Sequence, residues 1–304
     1  MNSEQLHERI AALKRERDAV ILAHNYQLPE VQSVADHLGD SLDLSRTAAS
    51  SPHRVIVFCG VHFMAETANL LAPDKVVLLP EPASGCPLAD MVTPAGVRGL
   101  RAAHPDAAVV GYINTPAAVK AELDIVCTSA NALQVVESLS QDEVIFVPDK
   151  YLGGYVARRT AKRIIPWNGY CPTHMHIRLE DVTAVRRMHP DAPVMVHPEC
   201  TFDVQDAADV VLGTGGMIAY VRTSSARTFI VGTEVGMCHR LKTLFPDREF
   251  VPAATGAVCP NMKRNTLAKI ACSLENLQPR IVVDEALRSR AHAALTRMLA
   301  VTER

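Results

Sequence analysis

Short apolar runs alternate with longer mixed stretches along most of the chain. The runs VILAH, VVGYI and VMVH are rich in Val and Ile, as the strands of a buried parallel sheet are. The stretches between such runs are long enough for the crossover helices that parallel strands need. The pattern predicts an α/β fold, with a leading helix over residues 3–17 that has Ser3 as its N-cap and a closing helix from Asp284.

The pattern occurs three times. Segments that begin at Asp18, Asp106 and Asp191 align without a gap, and these Asp residues are 88 and 85 positions apart. Each segment continues with Ala, an apolar run and a polar cluster. A hydroxyl residue follows 23 positions after each Asp, and each unit ends in Cys-Pro; these residues are Ser41, Ser129 and Thr214, then Cys86, Cys171 and Cys259.

The repeat predicts three α/β/α sandwich domains that pack directly on one another, because no Gly/Ser linker separates them. We expect the first domain to cover residues 1–85 and to be closed by C-terminal helices within 260–304. The second should cover residues 86–170 and the third residues 171–259. Three similar units further predict a pseudo-threefold axis with the active site at the centre.

Polar clusters follow the first strand of every unit, where parallel sheets bind ligands. They are His24, Asn25 and Tyr26, then Tyr112, Ile113 and Asn114, then His197, Pro198 and Glu199. We expect Ser41, Ser129 and Thr214 each to cap a helix, and a helix N-terminus attracts anions. Three such ends around one centre predict a substrate with several carboxylates or phosphates. The alternative, that these hydroxyls only cap helices, stays open at this point.

The three Cys-Pro cysteines should approach the same centre. Three thiolates at one point fit a 4Fe–4S cluster with one iron open to act as a Lewis acid, whereas zinc normally takes a fourth ligand or a water. Ordinary Cys-Pro turns are the alternative. Lys263 follows Cys259 closely and would place a cation beside the cluster. His174 and His176 lie near a predicted strand end, but the pattern alone favours no functional role for them.

The charge and hydrophobic content of the chain argue against nucleic-acid-binding and membrane-spanning proteins. The formal net charge is −2 and 48% of residues are hydrophobic, so no basic field predicts nucleic-acid binding. No apolar stretch approaches the ~20 residues that span a bilayer, and the charged N-terminus does not resemble a signal peptide. We therefore expect a cytoplasmic protein without membrane or nucleic-acid partners. Its eight cysteines, with no CxxC pair, do not indicate a disulfide framework.

The segments AHNYQ, FCGVHFMAETA, HPEC, GTEVGM and CPNMK, together with the three dispersed cysteines, resemble the quinolinate synthase family from about Asp18 to Lys269. The resemblance implies an enzyme of NAD biosynthesis that condenses iminoaspartate (iminosuccinate) with dihydroxyacetone phosphate to quinolinate, phosphate and water. It also implies three α/β/α domains about a pseudo-threefold axis with a central 4Fe–4S cluster. We also expect a transient contact with the aspartate-oxidising enzyme that produces the imine.

Carried over by position, the resemblance implies three groups of site residues. The cluster ligands are Cys86, Cys171 and Cys259. The catalytic residues are Tyr26, Tyr112, His197 and Glu199. The substrate-binding residues are His24, Ser41, Tyr112, Ile113, Asn114, Ser129, His197, Pro198, Glu199, Thr214 and Lys263. One departure is Gly213-Thr214-Gly215, where the family pattern has flanking hydroxyl residues.

Other functions remain possible at this stage. Another 4Fe–4S hydro-lyase could act on a hydroxy di- or tricarboxylic acid without needing the triose phosphate. An iron–sulfur sensor would need an effector surface, which the near-neutral charge does not suggest. A metal-free phosphosugar aldolase would need a Schiff-base lysine at a strand end.

Overall fold

In the computed structural model, each repeated segment forms a parallel sheet of four strands. The structure describes residues 1–302. In every sheet the first strand of the unit lies between the second and the third, and the fourth pairs with the third. The predicted α/β fold with three parallel-sheet units is confirmed.

The helices and strands follow one another in the same order in each unit. The first unit contains α1 (Ser3–Arg17), β1 (Ala19–His24), α2 (Pro29–Val34), β2 (His37–Gly39), α3 (Ser41–Ser50), β3 (Val55–Cys59), α4 (His62–Leu71) and β4 (Val76–Leu78). The second contains α5 (Pro94–Ala103), β5 (Ala108–Tyr112), α6 (Ala117–Lys120), β6 (Ile125–Cys127), α7 (Ala132–Glu137), β7 (Glu143–Val147), α8 (Lys150–Ala157) and β8 (Arg163–Pro166).

The third unit contains α9 (Leu179–Met188), β9 (Val194–Val196), α10 (Phe202–Asp206), β10 (Val210–Val211), α11 (Thr214–Thr223), β11 (Thr228–Gly232), α12 (Gly236–Leu244) and β12 (Glu249–Pro252). Helices α13 (Leu267–Asn276) and α14 (Glu285–Thr302) follow it. A short 3₁₀ turn comes after each Cys-Pro, at Ala89–Met91, His174–His176 and Met262–Arg264.

Both terminal helices form where the apolar pattern predicts them, but the N-cap predicted for α1 is wrong. Asn2, not Ser3, is the cap: its side chain accepts a hydrogen bond from the Gln5 N–H, and the Gln5 side chain accepts one from the Asn2 N–H, each at 2.9 Å. This reciprocal capping box needs a Gln or Glu three residues after the cap, and Gln5 has that spacing from Asn2. Ser3 is therefore the first helical residue.

The two C-terminal helices lie against different parts of the chain. Helix α13 packs on α1 and β3 of the first unit. Helix α14 begins directly after Asp284, as expected, and buries Leu295. It contacts α4 of the first unit and also α6, β6 and α7 of the second. Among residues 1–302, no helix combines the length and apolar composition required to cross a membrane.

A carboxylate at the same repeat position joins the first two strands of every unit. Its oxygen accepts a hydrogen bond from a strand N–H at 2.7–2.8 Å. It also pairs with a basic side chain of the helix that precedes the first strand. The carboxylates, strand donors and basic partners are Asp36, Ile21 and Lys14; Asp124, Val109 and Arg101; and Asp209, Val194 and Arg186.

Replacing Asp124 by Ala should destabilise the second unit. The Val109 N–H lies in a fully buried strand, and a buried donor without a partner costs about 1–3 kcal/mol. Chemical denaturation should therefore show a lower free energy of unfolding by that amount. The Asp124→Asn variant keeps an acceptor oxygen and should lose less. An Asp124→Ala variant that unfolds at the same denaturant concentration as the parent protein would contradict this role.

Candidate functional site

Loops from all three units line one cavity of about 230 Å³. The loops after the first strands contribute side chains to it, and so do the three Cys-Pro turns. Of the residues singled out from the sequence, the cavity wall contains His24, Tyr26, Ser41, Cys86, Tyr112, Asn114, Ser129, Cys171, His197, Glu199, Thr214 and Cys259. The structure therefore brings together side chains that are far apart in the chain.

Three of the expected substrate-binding residues, Ile113, Pro198 and Lys263, are not among the lining residues of this cavity. The Ile113 carbonyl accepts a hydrogen bond from Lys120, and the Pro198 carbonyl accepts one from Gln205, each at 2.8 Å. The amine of Lys263 lies 2.9 Å from a Glu234 carboxylate oxygen and donates to the Tyr26 carbonyl. Ile113 and Pro198 thus act within their loops through the backbone.

The three hydroxyl residues line the cavity, but the prediction that they cap helices is wrong. Ser41 is the first residue of α3, and the cap is Asp40, whose carboxylate accepts from the N–H groups of residues 42 and 43. Thr214 is likewise the first residue of α11, after Gly213. Ser129 precedes α7 by three residues, beyond its N-cap Asn131. A carboxylate accepts two N–H bonds more readily than a hydroxyl, which explains the one-residue offset at Asp40.

Close contacts with the other two units explain why both neighbours of Thr214 are glycine. A Cβ atom at Gly213 would lie 2.7 Å from Ser129 Oγ, and one at Gly215 would lie 2.7 Å from a carboxylate oxygen of Asp40. Both distances are shorter than any ordinary contact. Glycine at these two positions therefore lets the third unit approach the first and the second. The Gly215 N–H also donates to Asp40.

Glu199 is the centre of the polar network in the cavity. It is buried, and its Oε1 accepts a hydrogen bond from the Tyr112 hydroxyl at 2.6 Å. Its Oε2 lies 2.8 Å from His174 Nδ1. Burial acts to raise the pKa of Glu199, but His174, His197 and the Tyr112 hydroxyl together lower it. Glu199 is therefore a carboxylate at neutral pH.

The network continues from Glu199 to the first unit. His174 Nε2 lies 2.9 Å from the Thr233 hydroxyl, which lies 2.6 Å from the Tyr26 hydroxyl. When Nε2 of His174 is the acceptor, Thr233 donates to His174 and Tyr26 donates to Thr233. His174 Nδ1 is close to Glu199, but its N–H is not aligned for a hydrogen bond with that carboxylate. A series of close polar contacts thus links Tyr26 with Tyr112, and His174 and Glu199 lie between the two phenols.

His24 and His197, two further histidines of the cavity, are held neutral. Burial lowers the pKa of His24 and of His197 to about 3. Nδ1 of each ring accepts the backbone N–H two residues later, of Tyr26 at 3.2 Å and of Glu199 at 3.3 Å. Because a backbone N–H only donates, the ring proton is on Nε2 in both. Burial also raises the pKa of Tyr26 and of Tyr112, so both phenols stay protonated.

The sequence reasoning named His174 but gave it no functional role, and it missed Thr233. The repeat positions that correspond to His174, three residues after the Cys of Cys-Pro, are Ala89 and Met262 in the other units. A search for side chains shared among the units therefore passes over it. The sequence does contain a different signal: this repeat position is polar in the second Cys-Pro turn, at His174, and apolar in the other two turns.

The thiols of Cys86, Cys171 and Cys259 are close enough to influence one another. Burial, together with the nearby Glu199 and Cys259, raises the pKa of Cys86 to about 12. Burial also raises the pKa of Cys171, as do Glu199 and Cys86. Such buried thiols lose their protons readily only to a bound cation.

Each of these sulfurs receives backbone N–H groups from the 3₁₀ turn that follows it. The donors are Leu88 and Ala89 for Cys86, His174 for Cys171, and Asn261 and Met262 for Cys259. Hydrogen bonds to sulfur are among the protein features that tune iron–sulfur clusters, so the cysteine set fits such a group. A second possible metal site consists of Cys171, His174 and Glu199, whose ligand atoms lie within 4.8 Å of one another.

Comparison with known proteins identifies the family. The family model described as quinolinate synthetase A protein matches residues 8–300. A quinolinate synthase from Dehalococcoides mccartyi (strain CBDB1) is 53% identical over 301 residues, which cover 99% of this chain and 100% of that protein. The chain belongs to the quinolinate synthase family.

Archaeal and bacterial quinolinate synthases match equally well. One from Methanoregula boonei is 53% identical and covers 97% of this chain and 98% of its own length. One from Geobacter sp. (strain M21) is 51% identical and covers 99% of both chains. Quinolinate synthases are iron–sulfur enzymes, which accords with the three thiols that line the cavity here.

Burial of His24 should make stability depend on pH. Its pKa is about 3 in the folded chain and about 6.5 in an unfolded one, so the unfolded state binds the extra proton between these values. The free energy of unfolding should therefore fall as pH drops below 6.5, by up to about 1.4 kcal/mol per pH unit from this group.

The His24→Gln variant should show a flatter decline than the parent protein between pH 7 and 4. Chemical denaturation of identically prepared samples at several pH values measures this difference. His292→Gln, at an exposed position, controls for loss of a histidine as such. Parallel pH curves for the parent and the His24→Gln variant would show that His24 is not buried as a neutral ring.

Proposed function

We propose that this chain condenses iminoaspartate with dihydroxyacetone phosphate to quinolinate, phosphate and water, the reaction of its family. One observation carries the proposal beyond family membership. A single cavity contains three thiols, hydroxyls from all three units and an acid/base network centred on Glu199. The reaction needs all three kinds of group, because it combines C–C bond formation, proton transfers and dehydrations of an anionic substrate.

We propose that the three units are domains about a pseudo-threefold axis, with the active site at its centre and boundaries at residues 1–85, 86–170 and 171–259. The shared strand order supports this arrangement. So does the carboxylate that joins the first two strands in every unit. Helices within 260–304 complete the first domain in this proposal, with α14 also contacting the second.

Cys86, Cys171 and Cys259 are the proposed ligands of a 4Fe–4S cluster. Support comes from their shared cavity and from the N–H groups that each sulfur accepts. Three ligands leave one iron open, which when bound supplies a Lewis acid that assists the departure of hydroxide. The set of Cys171, His174 and Glu199 is less suited to a metal, because Glu199 already accepts from Tyr112 and His174 already contacts Thr233.

The anionic substrate groups should be bound by neutral donors. The proposed contacts that line the cavity are His24, Ser41, Tyr112, Asn114, Ser129, His197, Glu199 and Thr214. Neutral His24 and His197 each carry a proton on Nε2 and can donate it to a carboxylate. Ile113 and Pro198 contribute by holding their loops. Lys263 remains a proposed partner of the phosphate or a carboxylate, although its amine is bound to Glu234 in this conformation.

Proton transfer is assigned to Glu199 and Tyr26, with Tyr112 and His197 assisting. Glu199, as a carboxylate, can remove a proton from a substrate carbon and return it to the adjacent carbon, as an aldose–ketose type isomerisation requires. Tyr26, as a protonated phenol, can supply a proton to the substrate, and close contacts through Thr233 and His174 hold it in the same cavity as Glu199. Tyr112 holds the carboxylate in position and His197 orients the substrate.

A cytoplasmic location and a transient contact with the enzyme that supplies the imine also remain predictions. The second follows from chemistry, since an imine hydrolyses in water and benefits from direct delivery.

The function is tested by mixing anaerobically prepared protein with dihydroxyacetone phosphate and iminoaspartate generated in the same vessel. Quinolinate and phosphate should form in equal amounts, measured by chromatography and by a phosphate assay. Turnover of a hydroxy dicarboxylic acid without any need for dihydroxyacetone phosphate would support a hydro-lyase and overturn the proposal.

The Glu199→Gln variant tests the catalytic assignment in the same assay. We expect turnover to fall by about 10²-fold or more, the usual scale for a lost general acid or base. Iron content and quinolinate binding should remain, because Gln is isosteric and no cluster ligand is changed. Near-normal turnover in this variant would remove Glu199 from the mechanism.

Serine substitutions test the cluster ligands. Each of Cys86→Ser, Cys171→Ser and Cys259→Ser should lose most iron and sulfide, as measured by metal analysis and by visible absorbance, and all activity. Cys238→Ser and Cys272→Ser are matched controls and should keep both, since these side chains lie on helices α12 and α13. Loss of the cluster in a control variant, with retention in any of the first three, would show that the ligand set is wrong.

A further inference from the structure

A buried side chain in each unit binds the loop that follows the first strand. In the first unit, Gln32 Nε2 donates to the carbonyls of Asn25 and Gln27 at 3.2 and 3.0 Å. In the third, Gln205 Nε2 donates to those of Pro198 and Cys200, both at 2.8 Å. The two glutamines occupy the same position of the repeat.

The second unit has a lysine at this position. Lys120 is fully buried, and its Nζ donates to the carbonyls of Ile113, at 2.8 Å, and of Thr115. These carbonyls correspond in the repeat to the ones that the glutamines bind. The amine also lies 5.3 Å from the centre of the Phe63 ring. We call Gln32, Lys120 and Gln205 the loop clamps.

Each clamp binds the carbonyls on both sides of one residue that lines the cavity. The residue between the two carbonyls is Tyr26 in the first unit, Asn114 in the second and Glu199 in the third. A donor that holds both flanking carbonyls on one side fixes the local backbone and so the direction of the side chain between them.

We propose that Lys120 is a positioning residue for the reaction proposed above, which holds the loop of Tyr112 and Asn114 in its productive geometry by donating to the carbonyls of Ile113 and Thr115. The proposal rests on the proposed function. It assigns Lys120 no contact with the substrate, since the side chain is buried behind the loop. Misplacement of a reacting group by about 1 Å can cost up to about 10²-fold in rate.

The donated N–H groups matter in this role, rather than the charge. A neutral glutamine makes the same two bonds in the other units. Burial lowers the pKa of Lys120 to about 7, and the amine has N–H groups to donate in either protonation state. Glutamine is therefore the matched replacement, whereas methionine has a similar length and no donor.

The experiment compares Lys120→Gln, Lys120→Met and Asp124→Ala in cluster-loaded protein. Asp124 belongs to the same unit but bonds the other end of β5, so its variant controls for lost stability. The measurements are kcat and KM for both substrates, iron content, the unfolding midpoint, and amide hydrogen exchange of the peptide that covers residues 111–116.

Lys120→Met should lower kcat/KM by about tenfold or more, raise exchange in the loop and keep its iron. Lys120→Gln should stay within about threefold of the parent protein in kcat/KM and match its loop exchange. Asp124→Ala should lose stability while its kinetics and loop exchange stay close to those of the parent.

Two results would overturn the proposal. One is a Lys120→Met variant with parent-like kinetics and loop exchange. The other is a folded Lys120→Gln variant whose kcat/KM falls by more than about threefold or whose loop exchanges faster than in the parent protein. The proposal requires that the two N–H donors of glutamine replace those of lysine. If Lys120→Met does not fold, the Lys120→Gln result decides the question. If the parent protein makes no quinolinate, the proposed function fails, and the exchange data still show whether Lys120 holds the loop.

Discussion

The buried carboxylate of Glu199 constrains the whole cavity. A carboxylate without water is costly unless hydrogen bonds and opposite charge compensate for its lost hydration. Here the compensation comes from the Tyr112 hydroxyl of the second unit and from His174, which follows the second Cys-Pro. The chain can therefore bury Glu199 only when the loops around it are in place. Through Thr233 the same requirement extends to Tyr26 of the first unit.

A second carboxylate has a related structural role near the third thiol. Glu234 is fully buried, accepts the N–H of Cys259 at 3.1 Å and that of Gly236 at 2.7 Å, and pairs with Lys263. The lysine that the sequence suggested for substrate binding thus neutralises a carboxylate that holds a cysteine loop. Its positive charge is still near the cavity, but it is largely balanced by Glu234. The sequence could not reveal that Lys263 pairs with Glu234, because helix α12 and strand β12 separate the two residues along the chain.

Much of the fold could be predicted because its signals are local and repeated. Apolar runs of buried parallel strands are visible in one sequence, and three Cys-Pro pairs in register indicate a shared cavity. The helix caps were harder to predict than the strands. Neighbouring residues such as Asp40 and Ser41 can both serve as an N-cap, and a shift of one residue in the start of the helix decides which of them does. The roles of His174 and Thr233 could not be predicted for a different reason. Their role depends on contacts with Glu199 and Tyr26, which lie in other loops, and no local pattern encodes such contacts.

In the repeat, one backbone arrangement holds three chemically different side chains. The same position after the first strand carries a phenol in Tyr26, an amide in Asn114 and a carboxylate in Glu199, and all three line the cavity. The backbone around each is held in the same way, through the two flanking carbonyls. Because the clamps bind only backbone atoms, the side chain between them is free to differ without any change in the local geometry. One scaffold element used three times thus presents a phenol, an amide and a carboxylate to a single cavity. A threefold repeat can in this way form a cavity whose three sides differ in their chemistry.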